Sequence, residues 1–322
     1  MNTVAAIEPR HTAGQRARES VFRGATLVAA ILVLGLLGGV ILTLILGAWP
    51  VFSHFGLKFL TREVWNPVTD QYGALAPIYG TLVTSVLAMV FAIPVSIGIA
   101  VFLTELAPPW MKRPVGVAIE LLAAVPSIIF GIWGLFVVAP VFQQHVQPFL
   151  IRWLGPLPVM GKLFQGPPFG IGVLTASFVL ALMVVPFISA VVRDVFETVP
   201  DVLKESAYGL GATTWEVIWK IVIPHTRTGV VGGVMLGLGR ALGETMAVTF
   251  VIGNAHRLTA SLLAPGTTIA ASIANEYTEA VGDLYTSALV GLGSILFLIT
   301  FSVIAAARFM LLRLERRALS SV

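Results

Sequence analysis

Cysteine is absent from all 322 residues, which excludes disulfides, a thiol nucleophile and thiolate metal ligation. Charge is nearly as scarce: Asp, Glu, Lys and Arg make up 11% of the chain against 57% apolar residues. A soluble globular domain carries about a quarter charged residues, so a water-facing surface around one core is excluded. No GxxxxGK(S/T) phosphate-binding loop occurs, so any ATP hydrolysis must come from another polypeptide. Short-period repeats and low-complexity linkers are missing too. We therefore expect one membrane domain, 25–312, between a basic tail, 1–24, and a short tail, 313–322. No catalytic residue, metal site or cofactor is expected within the chain, and nothing in it suggests nucleic acid as a partner.

The missing charges define the architecture. No Asp, Glu, Lys or Arg occurs in 24–57, 71–104, 121–151, 163–192 or 284–307, and 228–256 holds only Arg240 and Glu244. Each run can supply the roughly 20 apolar residues that cross a bilayer as a helix. The expected spans are about 26–47, 77–103, 117–142, 170–192, 229–252 and 286–312. This is an all-α polytopic membrane protein with six transmembrane helices. The first run exceeds the ~7–15-residue apolar core of a cleaved leader. Residues 258–275 are also free of charge, but Pro265-Gly266 interrupts them, and we read them as an interfacial or re-entrant stretch.

Basic residues give the orientation. Of the 20 Lys and Arg, only Lys58, Arg62, Arg152, Lys162 and Arg257 fall on one side of the expected spans. Apart from Arg240 the rest fall on the other side, which the positive-inside rule makes cytoplasmic. Both termini and the loop at about 193–228 are then expected in the cytoplasm. The opposite loop, 48–76, carries Trp49, Phe52, Phe55, Phe59 and Trp65, read as an interfacial aromatic belt. Loop 143–168 is rich in proline and glycine and reads as irregular. Pro94, Pro126 and Pro186 fall inside spans two, three and four, where a missing donor bends or opens a helix. Ser127 places a hydroxyl beside one such break.

The polar loop before span five has its own helical pattern. Pro200 and Asp201 suit the first turn of a helix, Gly211 suits its end, and Thr213 with Glu216 forms a capping box for a second helix. Trp215, Ile218, Trp219 and Val222 recur at helical spacing, and Pro224 is expected to end that helix. Periodicity alone leaves two readings open: an amphipathic hairpin on the membrane surface, or a dock for another protein.

Span five holds the charges at mid-membrane depth. Charge there costs about 2.5–3.5 kcal/mol per residue on an insertion scale. On one continuous helix Gly229, Gly233, Gly237, Arg240 and Glu244 share a face, and the glycines let a neighbouring helix come close. One reading is a self-neutralising Arg240–Glu244 pair. The other is that Arg240 offers a planar, permanently charged fork to a crossing anion, with Glu244 orienting it and Thr245 and Thr249 adding hydroxyls.

Two resemblances go further than these arguments. Glu205-Ser206-Ala207, Gly211 and Ile221-Val222-Ile223-Pro224 resemble the EAA loop of bacterial ABC importer permeases, with Ser206 and Ile223 as mild departures. That resemblance implies a type I (MetI-like) permease fold and assigns ATPase coupling to Glu205, Ala207, Gly211 and Pro224. The runs 72–82, 102–108 and 237–247 look like the PstC-type permease subunits of bacterial phosphate importers, over about residues 24–312. What this implies is phosphate as cargo, with Arg240, Glu244, Thr245 and Ser127 near its path. It also implies a PstA-type second permease, an ATP-binding cassette ATPase dimer that binds ATP-Mg, and an extracytoplasmic phosphate-binding protein, all within a lipid bilayer of the inner membrane. Sulfate or molybdate import, or ion-coupled secondary transport with Glu244 as proton carrier, stand as alternatives.

Overall fold

In the computed structural model, residues 13–158 and 160–319 are described, and they are almost entirely helical. The chain divides into two compact units, Met1–Gly47 and Ala48–Val322. The first unit consists of most of helix α1 (Ala13–Phe55). Its apolar side chains, such as Leu34, Leu36 and Leu46, are exposed. A helix that is apolar on every side needs lipid or another protein around it. Residues 13–24, expected as part of a polar tail, are helical and continuous with the span. Arg10 and the outer parts of both tails, 1–12 and 320–322, lie outside the described residues.

The second unit continues with α2 (Lys58–Thr61), α3 (Leu75–Val101) and α4 (Pro109–Ala123), a π-helical turn at Phe102–Leu106 separating the last two. The third span is built from α5 (Ser127–Trp133), α6 (Ala139–Val141) and α7 (Gln147–Leu154), joined by π turns. Then follow α8 (Val173–Glu197), α9 (Asp201–Gly209), α10 (Thr214–Val217), α11 (Ile223–Leu242), α12 (Met246–Ile252), α13 (Ile269–Glu276) and α14 (Asp283–Leu319). Among the described residues six helical stretches are long and apolar enough to cross a bilayer.

Helix α8 is the axis of this unit: Leu180, Val184, Ile188, Val192 and Phe196 are fully buried against α3, α4, α11 and α12. A second apolar cluster gathers Val51, Phe59, Tyr72, Ile269, Leu289 and Leu292 at the end of the bundle away from α9. Gly80 on α3 is needed there because a Cβ would overlap the Thr267 carbonyl oxygen. The Thr81 hydroxyl accepts the Ile269 amide at 2.9 Å beside it.

Three expectations are corrected. The third span is Ser127–Leu154, not 117–142. Pro126 lacks an amide hydrogen and disfavours a helical Val125, so α4 stops at Ala123 and becomes a separate amphipathic helix. Ser127 therefore opens the span, and residues up to Leu154 that read as irregular loop are helical. Span five breaks after Leu242, and α12 begins afresh at Met246 with Thr245 as its N-cap. Pro224 does not end its helix: a π turn at Ile218–Val222 widens the backbone where the proline ring would meet the Lys220 carbonyl, and α11 runs on.

Residues 258–275 behave as read from sequence. They fold back into the protein, Leu263, Ile269 and Ala271 are fully buried, and the eight-residue α13 is too short to cross a bilayer. The aromatic belt is only partly such. Trp49 is exposed, whereas Phe59 is completely buried and the indole of Trp65 donates to Glu276 at 2.7 Å.

Candidate functional site

The EAA-like loop folds as its residues dictate. Pro200 caps α9, Asp201 sits at its positive end, and no residue of α9 is buried. The chain turns at Gly211, whose φ of +87° lies in the left-handed region that glycine adopts without penalty. Ala212 donates to the Ala207 carbonyl at 3.0 Å, closing the turn. The capping box then forms in full: Glu216 N donates to Thr213 Oγ1 at 3.4 Å, and Thr213 N to Glu216 Oε2 at 3.1 Å.

The outer face of this hairpin is apolar and unpaired. Leu210 is 91% exposed and Val202 70%. Glu205 is exposed beside them, and Ala207 is half-buried where the hairpin closes on itself. Ile218 and Val222 turn into the protein, while Trp215 and Trp219 line an apolar groove with Ile93, Ile97 and Val101 of α3. Pro224 is exposed at the root of α11 and touches none of the other three coupling residues through a described side-chain bond.

Two ion-pair systems that sequence reasoning did not single out tie the hairpin to the bundle. Lys204 of α9 bonds Glu105 at 2.6 Å. Arg193, at the end of α8, bonds Glu120 of α4 at 2.9 Å and Asp194 at 3.0 Å. Lys204, Arg193 and Glu120 border a hollow of about 450 Å³ with Lys112, Arg113 and Asp201. Glu105 lies inside the run 102–108 that carried the family resemblance, which was the one signal available.

The charged stripe is rearranged by the break at Gly243. The glycine face holds as expected, since Gly229, Gly233 and Gly237 lie on Val195, Val191 and Ile188 of α8. Arg240, however, makes no described ion pair with Glu244. Its guanidinium carbon stands 5.6 Å from the centre of the Phe187 ring and is otherwise exposed. Glu244 turns the other way and accepts the Ala247 amide at 3.1 Å, capping α12. The Thr245 hydroxyl donates to the Gly243 carbonyl, and Thr249 to the Thr245 carbonyl at 2.7 Å. Ser127 is half-buried at the start of α5, whose Gly131 abuts Met246 and Ala247. Two broken helices thus begin side by side, with Arg240 on the turn before one of them. Broken helices of this kind supply polar backbone at membrane depth where it lines protein or a cavity.

At the opposite end, the Glu276 carboxylate gathers three segments. Trp65 Nε1 and Tyr285 Oη donate to Oε2 at 2.7 Å each, and His256 Nε2 lies 3.5 Å from Oε1. His256 stacks on Trp65 at 5.1 Å and shares Ser272 at 3.1 Å. Burial holds His256 below the usual imidazole value, with the Glu276 carboxylate pulling the other way. Burial and the Asp70 carboxylate, which accepts the phenol at 3.2 Å, push Tyr72 up to about 12. Aromatic spacing hinted at a belt, and nothing in the sequence joined it to Glu276.

Comparison with known proteins gives this geometry a family. Residues 92–319 match the family described as binding-protein-dependent transport system inner membrane component. The phosphate transport system permease protein PstC of Mesorhizobium japonicum is 62% identical over 299 residues, covering 93% of this chain and 91% of that one. Its namesake from Pasteurella multocida is 61% identical, covering 93% of both. A probable PstC from Methanocaldococcus jannaschii is 39% identical over 81% of this chain and 84% of that one. Among solved structures, a bacterial alginate ABC transporter chain superimposes with a TM-score of 0.62 at 20% identity, covering 92% of this chain and 96% of that one. A chain of the MetNI methionine ABC transporter gives 0.55 at 16% identity, covering 77% and 98%. At that identity these likenesses speak for the fold, which is the MetI-like permease fold. The chain belongs to the binding-protein-dependent transport system inner membrane component family, as a multi-pass permease subunit and not an enzyme in its own right.

Proposed function

We infer that this chain forms half of the translocation pathway of an ATP-driven importer of inorganic phosphate in the bacterial inner membrane. The observation that carries this reading is the 62% identity, over nearly the whole chain, to a protein named as a phosphate transport permease. The other half of the pathway is a PstA-type permease. An extracytoplasmic phosphate-binding protein delivers the anion, and a dimeric ATPase that binds ATP-Mg docks on α9. The positive-inside count supports a cytoplasmic position for both termini and for the α9–α10 hairpin.

In this reading Glu205, Ala207 and Gly211 present the hairpin to the ATPase, and Pro224 marks where the hairpin joins α11. ATP-driven movement of α9 is passed along α11 to Gly243, where the helix breaks. Arg240, one turn before the break, supplies the fixed positive charge for the anion. Its guanidinium is exposed and has no carboxylate partner among the described residues, so its donors remain open to an oxyanion. Thr245 and Ser127 stand at the mouths of the two broken helices as secondary contacts.

The test is radiolabelled phosphate uptake into cells lacking their own importer and supplied with the four-component system. Uptake should depend on this chain and be lost in R240Q with the ATPase still bound. Uptake that persists without the ATPase and collapses with the proton gradient would remove this reading.

A further inference from the structure

Arg240 is held by an aromatic face where a carboxylate would be the ordinary partner, and the surrounding packing explains how. The glycines of α11 bring it against α8 so closely that a Cβ on Gly237 would sit 2.5 Å from Ile188 Cγ1. The next turn of α11, which carries Arg240, therefore meets the residue just before Ile188, namely Phe187. The backbone ahead of Phe187 is fixed by buried Pro186 and by Ser96 of α3, whose hydroxyl donates to the Val185 carbonyl at 3.2 Å. The ring is thus placed by two neighbouring helices, and the guanidinium carbon stands 5.6 Å from its centre.

A carboxylate partner would occupy two of the five guanidinium donors and cancel the charge. A ring face occupies none of them. It attracts the cation through the ring quadrupole and limits how the guanidinium plane can turn. Glu244, four positions on, is directed to the Ala247 amide, so it does not compete.

We propose that Phe187 is a positioning residue for transport, holding the Arg240 guanidinium by its π face so that the charge and the donor edge stay free for a tetrahedral oxyanion. This rests on the reading of Arg240 as the group that meets the anion. Phe187 touches no substrate itself. Its part is to orient the charge without neutralising it.

The experiment is phosphate uptake by the complete importer in proteoliposomes, normalised to assembled complex. F187L and F187M remove the ring while nearly keeping the volume; F187W keeps a π face. At the strength usual for an exposed cation–π contact, the two ringless variants should lose about two- to fivefold in maximal uptake. F187W should transport at close to the wild-type rate. Wild-type uptake in F187L overturns the inference, as does an equal loss in F187W. Failure of both ringless variants to assemble would make Phe187 a packing residue and also overturn it. R240Q serves as the separate arm. Normal uptake in R240Q sinks the underlying reading of Arg240, whereas an inactive R240Q beside a normal F187L sinks only the role of Phe187.

Discussion

Lys204 Nζ lies 2.6 Å from Glu105 Oε1, and this pair joins the exposed helix α9 to the π turn that ends α3. The two side chains are only 15% and 6% exposed. Removing one partner of a buried pair strands the other charge, at a cost of about 3–5 kcal/mol when burial is complete and less here because Lys204 keeps some solvent. E105Q should therefore loosen α9 and lower uptake per ATP hydrolysed several-fold. The charge-reversed double variant E105K/K204E should recover part of the loss. Equal coupling ratios in E105Q and wild type, measured in proteoliposomes, would leave this pair without a role in transmission.

Gly211 separates backbone demand from space. Nothing lies within 4 Å of where its Cβ would be, yet its φ is +87°. The cost of substitution is then conformational, about 1–2 kcal/mol for an ordinary side chain and less for asparagine, which tolerates this region. G211N should hold the ATPase nearly as well as wild type, G211A less well, and G211V least. Co-purification of the ATPase with each variant measures the order. Equal retention by asparagine and valine would mean that the turn is not the limiting feature.

How much of this was legible beforehand follows from which forces act locally. The turn at Gly211 and the capping box at Thr213 and Glu216 are set by residues within four positions of one another, and they form as read. The six spans follow from charge-free runs, which the bilayer reads one segment at a time. The errors arise where hydropathy is blind to a local break in the backbone, or where a second element decides. A run of apolar residues does not say that Pro126 would start a span or that Gly243 would break one, since helical periodicity continues across both. Nor could spacing show that Arg240 turns to Phe187 on α8, because i, i+4 logic sees only partners on its own helix. The Trp65–Glu276–Tyr285 cluster joins residues more than two hundred positions apart in sequence, so no local pattern announces it.

Gly80 and Gly98 lie on the same helix and should behave oppositely. A Cβ at Gly80 would strike the Thr267 carbonyl, which is backbone and cannot swing away, while Gly98 has open space. Overpacking of this kind costs typically about 1–3 kcal/mol, and more where backbone must move. G80A should reduce folded protein in the membrane and lower the melting temperature in detergent. G98A should match wild type or exceed it slightly, since alanine favours a helix. The reverse order would contradict the seating of the 253–268 segment on α3.

His256 makes the end of the bundle away from α9 sensitive to acid. Its folded value is lowered by burial, so between that value and about 6.5 the unfolded chain binds a proton that the folded one does not. Stability is complete above about 6.5 and falls as pH drops through that window. The carboxylate of Glu276, the group opposing the shift, narrows the window. Melting temperature followed from pH 7.5 to 5.5 should fall in the wild type, fall further in E276Q, and change least in H256N. A melting temperature independent of pH in E276Q would show that this imidazole does not control the cluster.

Arg240 and Glu244 are four positions apart, and a continuous helix would pair them. The break at Gly243 sends them to different partners, the Phe187 ring and the Ala247 amide. Their contributions to stability should then be independent. E244Q keeps an oxygen that can accept the Ala247 amide and should cost little. E244A loses the cap, at about 0.5–2 kcal/mol. Adding R240Q to E244A should change the unfolding free energy by the sum of the single effects, within the roughly 0.3–0.5 kcal/mol expected of uncoupled sites. A coupling energy well above that, with the double variant more stable than the sum, is what a self-neutralising ion pair would give. Additivity together with loss of transport in R240Q would instead leave the arginine charge uncommitted within the protein and available to the cargo.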